Sequence, residues 1–177
     1  MVQNTPEKIS VAVPRMPDAD MVLPYLRRID DARYYSNFGP LVQEFEARIA
    51  AGFGVDTDCV TTVANGTAAL ILALRAGNPP PGSLCMMPSW TFSATAHAAR
   101  EAGLTPFFVD VAPDNWALTP EIAGAALANA PGNVAAVLPV APFGAPIGYD
   151  RWDEFSEATG IPVVIDAAAA FDTAQPG

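Results

Sequence analysis

The sequence has 177 residues, the size of one domain, and its 51% hydrophobic and 16% charged residues exclude a disordered chain. Nine Lys and Arg against 19 Asp and Glu give a net charge of −10, which argues against nucleic acid or an anionic membrane as the main partner. A small phosphorylated ligand stays open, because a helix N-terminus holds phosphate without any net positive charge.

Met1 to Ser10 is polar, without the apolar segment of a signal peptide, and no apolar run reaches the length of a membrane span. The expected compartment is the cytoplasm. Residues 1–17 lack periodicity and read as an arm. Asp18 to Ala32 reads as a helix, with Pro24 in its first turns. Gly39-Pro40 opens a second helix, with Leu41, Val42, Phe45 and Ile49 as its stripe and Gly52 and Gly54 at its end.

From Cys59 the pattern alternates. A strand over Cys59–Ala64 precedes a helix over Thr67–Ala76, and a short strand Leu84–Met87 leads through Pro88-Ser89-Trp90 into a helix Thr91–Ala102. A strand Pro106–Val111 follows, then a helix that Thr119 caps and Pro120 starts, running to about Ala130. A strand Val134–Val140, a helix Asp150–Thr159 and a strand Ile161–Ile165 complete the series. Strands alternating with helices mean an α/β domain with a largely parallel sheet. Prolines, 18 in all, fall between these segments and mark stiff loops. Cys59 and Cys85 both lie in strand-like runs and read as buried structural thiols of a reducing compartment.

In parallel sheets, ligands gather outside the carboxyl ends of the strands. Asn65-Gly66-Thr67, Ser89-Trp90, Pro142-Phe143-Gly144 and Asp166 each follow a strand directly, so all are expected on one edge. Gly66 and Thr67 offer backbone N–H groups and a hydroxyl, which suits a phosphate; an ordinary turn capped by Asn65 would use the same residues. Asp166 stands between Val163-Val164-Ile165 and four alanines, with no cation nearby in sequence. Such a carboxylate either meets a ligand cation or caps a turn. Trp90 either stacks on a flat ligand or packs between helix and sheet. His97, the one histidine, sits among alanines and reads as structural. Hydrolase and nucleotide motifs such as G-x-S-x-G are absent from the sequence.

In order along the chain, these segments resemble the DegT/DnrJ/StrS family of pyridoxal-phosphate-dependent sugar aminotransferases. The match runs through Tyr35-Ser36-Asn37-Phe38-Gly39-Pro40 with Phe45-Glu46, Asn65-Gly66-Thr67-Ala68-Ala69-Leu70, and Pro88-Ser89-Trp90-Thr91-Phe92-Ser93-Ala94-Thr95. It continues through Gly103-Leu104-Thr105-Pro106-Phe107-Phe108-Val109-Asp110-Val111 and Ile165-Asp166-Ala167-Ala168, and so covers most of residues 33–172. The resemblance implies the large domain of the fold type I pyridoxal-phosphate transferases, three layers αβα. Residues 1–35 would be an arm and first helix, and 36–177 the cofactor-binding portion. Gly66 and Thr67 would bind the phosphate of pyridoxal 5'-phosphate, Trp90 would stack on its ring, and Asp166 would pair with the protonated ring nitrogen.

Two departures from the family pattern stand out. The Gln that usually follows three residues after the aspartate is Ala169 here. The family's cofactor-anchoring lysine lies downstream of the Asp-Ala-Ala block in a Ser-x-x-x-x-Lys segment, which this sequence does not contain; its one lysine, Lys8, precedes every core element. The resemblance thus implies a truncated, N-terminal portion of a homodimeric enzyme that moves an amino group from an amino donor to a nucleotide-linked keto-sugar. Alone it is expected to be inactive, with a sheet lacking late strands and exposing an apolar edge. A non-catalytic binding or interaction domain of the same fold is the second reading. A nucleotide-binding α/β protein unrelated to pyridoxal phosphate is the third, and it places Asp166 facing away from Gly66 and Trp90.

Overall fold

The computed structural model describes residues 14–171; Lys8 and most of the expected N-terminal arm lie outside the described residues. The chain divides into two compact units between Arg48 and Ile49. In the first, helix α1 (Ala19–Ala32) starts where the Asp18 side chain accepts from the Met21 amide at 2.9 Å, and ends at Arg33 in the left-handed region. Pro24 falls in its second turn. An Arg28–Glu44 ion pair ties it to helix α2 (Pro40–Phe53). Of the expected α2 stripe, Leu41, Val42 and Ile49 are half-buried, while Phe45 is exposed.

The second unit carries a parallel sheet. Strands β1 (Leu84–Pro88), β2 (Thr105–Val109) and β3 (Val134–Val137) lie in the order β2-β1-β3, with Leu84 beside Thr105 and Met86 beside Val137. Successive side chains of a strand point to opposite faces, and this sheet buries both. Cys85, Met87, Ala136 and Leu138 pack with Leu70 and Leu74 of helix α3 (Gly66–Ala76) and Ala98 and Ala99 of helix α4 (Ser93–Glu101). Met86 and Val137 face the other way. They meet Ala123 of helix α5 (Pro120–Leu127) and Trp152 and Phe155 of helix α6 (Tyr149–Thr159). The result is the expected three-layer αβα arrangement. Each fully buried side chain such as Met86 contributes about 1.5–3 kcal/mol.

Two expected strands differ. Ile161–Ile165 adds to the sheet only as isolated parallel bridges, Val137 with Val163 and Val140 with Asp166. Pro139 and Pro162 stand in the facing segments without an N–H to donate, so the ladder is interrupted there. The run Cys59–Ala64 is not a strand at all: Thr57–Cys59 forms a single 3-10 turn, and none of the three strands pairs with Val60–Val63. A β-branched run becomes a strand only beside a partner for its backbone. With that strand gone, Cys59 is exposed rather than buried, whereas Cys85 is fully buried as expected. Among the described residues, no helix is long and apolar enough to cross a membrane.

Candidate functional site

Four segments, two of them following β1 and β3, line a cavity of about 420 Å³. Its size lies within the roughly 300–1,000 Å³ of small-molecule sites. Gly66 and Thr67 enter it from the start of α3, and Trp90 from the β1–α4 connection. Pro142 and Phe143 come from the turn after β3, and Asp166 from the segment bridged to Val140. The four site residues expected from the sequence therefore line one space. Asn65, Ser89 and Gly144, expected on the same edge, do not line it. This geometry contradicts the third sequence reading, in which Asp166 turned away from Gly66 and Trp90.

The α3 end of the cavity is built by Asn65. Its side chain accepts from the Ala68 amide at 2.9 Å and its carbonyl from the Ala69 amide at 3.1 Å. The amides of Gly66 and Thr67 are the next donors of this first turn, and a helix offers them no acceptor of its own. They add to the positive end of the helix dipole. A Cβ at Gly66 would meet nothing within 4 Å, so the space beside this turn is open.

At the far end, Asp166 is the one ionisable side chain among the described residues that line the cavity. It is held from three directions. Its amide donates to the Pro139 carbonyl and its carbonyl accepts from the Ala141 amide, both at 2.9 Å. Its Oδ1 accepts from the Ala168 amide at 3.2 Å, the local turn expected as one use of this residue. Its Oδ2 accepts from Thr95 Oγ1 at 3.0 Å, and Thr95 Oγ1 lies 2.6 Å from Thr91 Oγ1. A carboxylate oxygen only accepts, so Thr95 donates to Asp166 and its own oxygen is left to accept from Thr91. Thr95 is fully buried and was not singled out in the sequence. Its spacing of four from Thr91, after the strand-end Trp90, was the available signal.

Trp90 is 46% exposed, with Trp116 edge-on at 4.7 Å between ring centroids and Phe143 tilted at 6.1 Å. It lines the cavity and packs with two rings from loops, rather than between helix and sheet. At Gly144 the backbone is left-handed (φ +83), and a Cβ would stand 2.8 Å from the Ala169 carbonyl oxygen, so this turn closes against Ala169 only with glycine. Ala169 itself lines the cavity without a polar side chain. His97 is exposed on α4 and does not line the cavity.

The family model of the DegT/DnrJ/EryC1/StrS aminotransferases matches residues 18–177. A dTDP-4-amino-4,6-dideoxy-D-glucose transaminase of Escherichia coli is 32% identical over 172 residues, which span 92% of this chain and 42% of that protein. A UDP-N-acetyl-3-dehydro-alpha-D-glucosamine 3-aminotransferase of Acidithiobacillus ferrooxidans is 35% identical, over 96% of this chain and 45% of that one. Among solved structures, the aminotransferase TlmJ of Streptoalloteichus hindustanus superposes with a TM-score of 0.80 at 28% identity, covering 93% of this chain and 43% of TlmJ. The chain thus spans less than half the length of each of these relatives.

Proposed function

This chain belongs to the DegT/DnrJ/EryC1/StrS aminotransferase family, and from that premise we propose that the cavity at the strand ends binds pyridoxal 5'-phosphate. One observation carries the reading: Gly66, Thr67, Trp90 and Asp166, from three separated segments, line a single space in which Asp166 is the lone ionisable side chain among the described residues. The residues fit the group. Open space beside Gly66 and two first-turn amides suit a phosphate, which a helix N-terminus holds without a basic side chain. The flat face of Trp90 suits a pyridine ring. Asp166 suits a protonated ring nitrogen, since a carboxylate among apolar walls needs a positive partner.

The bound cofactor supplies an electron sink for a carbanion at the substrate α-carbon. The chain's own residues bind and orient it. Gly66 and Thr67 hold the phosphate, Trp90 fixes the ring plane, and Asp166 keeps a proton on the ring nitrogen. Thr95 holds the Asp166 carboxylate in place through its hydroxyl. Residues 36–177 are the cofactor-binding portion in this reading. The reaction served is transfer of an amino group from a donor such as glutamate to a nucleotide-linked keto-sugar, within a homodimer. The named activities of the Escherichia coli and Acidithiobacillus ferrooxidans relatives support that substrate class.

The sequence's one lysine, Lys8, precedes every helix and strand of the described residues, and no lysine occurs in residues 9–177. The 177-residue chain by itself therefore holds pyridoxal phosphate without turnover. Titration of the purified chain with pyridoxal 5'-phosphate, followed by tryptophan fluorescence, tests the site. Saturable binding is expected, weakened in Asp166→Ala by about 10- to 150-fold, the equivalent of roughly 1.5–3 kcal/mol for a bond to a charged group. Binding indifferent to Asp166→Ala would refute the assignment, and a measurable rate of keto-sugar amination would refute the inactivity.

A further inference from the structure

Trp90 stands in the β1–α4 connection, outside any helix or strand, and is 46% exposed. Neither regular backbone nor an enclosing core fixes its indole. Among the described residues its ring partners are Trp116 and Phe143. Both partners come from backbone in the left-handed region, Trp116 at φ +61 and Phe143 at φ +53. A bulky L-residue is disfavoured there because its Cβ crowds the following carbonyl. Strain of this kind persists only where the surroundings over-determine it, and it collects at ligand clamps.

The surroundings of Trp116 do so. Its amide donates to the Ala112 carbonyl at 2.9 Å, the Ala112 amide donates to the Ala117 carbonyl at 2.9 Å, and the Ala117 amide donates to Asn115 Oδ1 at 3.0 Å. The turn is pinned on both sides of the residue that presents the ring. The two indoles then meet at 64° between planes, the edge-to-face arrangement that aromatic pairs prefer. Trp116 does not line the cavity. Its ring contact with a lining residue is with Trp90.

We propose that Trp116 is a positioning residue: its indole, held edge-on to Trp90 by a pinned left-handed turn, fixes the plane that Trp90 presents to a flat ligand ring in the cavity. The ligand clause rests on the pyridoxal phosphate reading; the brace itself does not. An ordered Trp90 loses little side-chain freedom on stacking, so the brace raises affinity without touching the ligand.

The test has a ligand-free arm and a ligand arm, in wild type, Trp116→Ala and Trp116→Phe. In the first, ¹⁵N relaxation of the Trp90 indole Nε1–H is measured, with the buried Trp152, paired with Phe155, as internal control. Trp116→Ala is expected to mobilise the Trp90 indole and leave Trp152 unchanged, and Trp116→Phe to restore order. An equally ordered Trp90 in Trp116→Ala would overturn the brace, and so would a loosened Trp152, which reports general unfolding. In the second arm, Trp116→Ala is expected to weaken pyridoxal 5'-phosphate binding about 2- to 13-fold, as an aromatic pair of this geometry implies, with recovery in Trp116→Phe. Unchanged affinity, or no recovery in Trp116→Phe, would overturn the ligand clause. Absence of binding by wild type would overturn the cofactor reading, with the brace decided by relaxation.

Discussion

Replacing Thr95 with Val removes one buried hydroxyl and keeps the side chain's shape. Thr95 is fully buried, and its Oγ1 donates to Asp166 Oδ2 at 3.0 Å and pairs with Thr91 Oγ1 at 2.6 Å. Both bonds vanish in the variant. A hydrogen bond to a charged group contributes about 1.5–3 kcal/mol and a neutral one about 0.5–1.5 kcal/mol. Asp166 is only half-buried and keeps the Ala168 amide, so water restores part of what its Oδ2 loses. Burying a methyl in place of a hydroxyl offsets a further part. The net expectation is about 2 kcal/mol, or roughly 4–8 °C in Tm for a chain of this length. Urea unfolding of wild type, Thr95→Val and Thr95→Ser measures it. Thr95→Ser keeps the hydroxyl and loses one methyl, near 0.8 kcal/mol, so it should be the milder change. A Thr95→Val loss below about 0.5 kcal/mol, or a Thr95→Ser loss exceeding it, would refute the claim that this hydroxyl holds the carboxylate.

The two cysteines should separate chemically: a disulfide-exchange reagent is expected to titrate the exposed Cys59 in the native chain, and both thiols only in denaturant. Burial pushes the Cys85 thiol from 9.0 up to about 12, which makes stability pH-dependent. Since the folded value is the higher one, this contribution is intact below pH 9 and is lost as pH rises toward about 12. The limiting slope is about 1.4 kcal/mol per pH unit. Urea midpoints from pH 8 to 11 should therefore fall less steeply in Cys85→Ala than in wild type, and equal slopes would contradict the assignment. Gly144→Ala should destabilise by at least about 1–2 kcal/mol from its left-handed backbone, and the 2.8 Å approach to the Ala169 oxygen adds to this. A melting temperature equal to wild type would show that the turn has another conformation open to it.

Much of this fold is legible in the sequence because parallel strands buried on both faces leave dense apolar runs. Leu84–Met87 and Val134–Val137 stand out for that reason, and the residues that follow them fall where strand-end chemistry belongs. The same signal misleads at Cys59–Ala64. There the β-branched run is real, but strand formation depends on a pairing partner, which a local pattern does not reveal. The misplaced strand carried Cys59 with it into an expected core. At Ile161–Ile165 the pattern located the right segment, and Pro139 and Pro162 broke its ladder into bridges. Gly66, Thr67, Trp90 and Asp166 were read as residues that follow strands, which holds for Trp90 after β1 but not for Gly66 and Thr67, whereas Thr95 and Trp116 were not singled out. Thr95 acts across 71 positions of sequence on Asp166, and Trp116 acts through a left-handed turn that no residue type in Asn115-Trp116-Ala117 demands.

A crystal structure of this chain grown with pyridoxal 5'-phosphate tests the central claim most directly. The account predicts the phosphate against the Gly66 and Thr67 amides, the ring against Trp90 and the ring nitrogen facing Asp166. Density for the cofactor elsewhere on the chain, or in this cavity with the ring nitrogen turned away from Asp166, would contradict it.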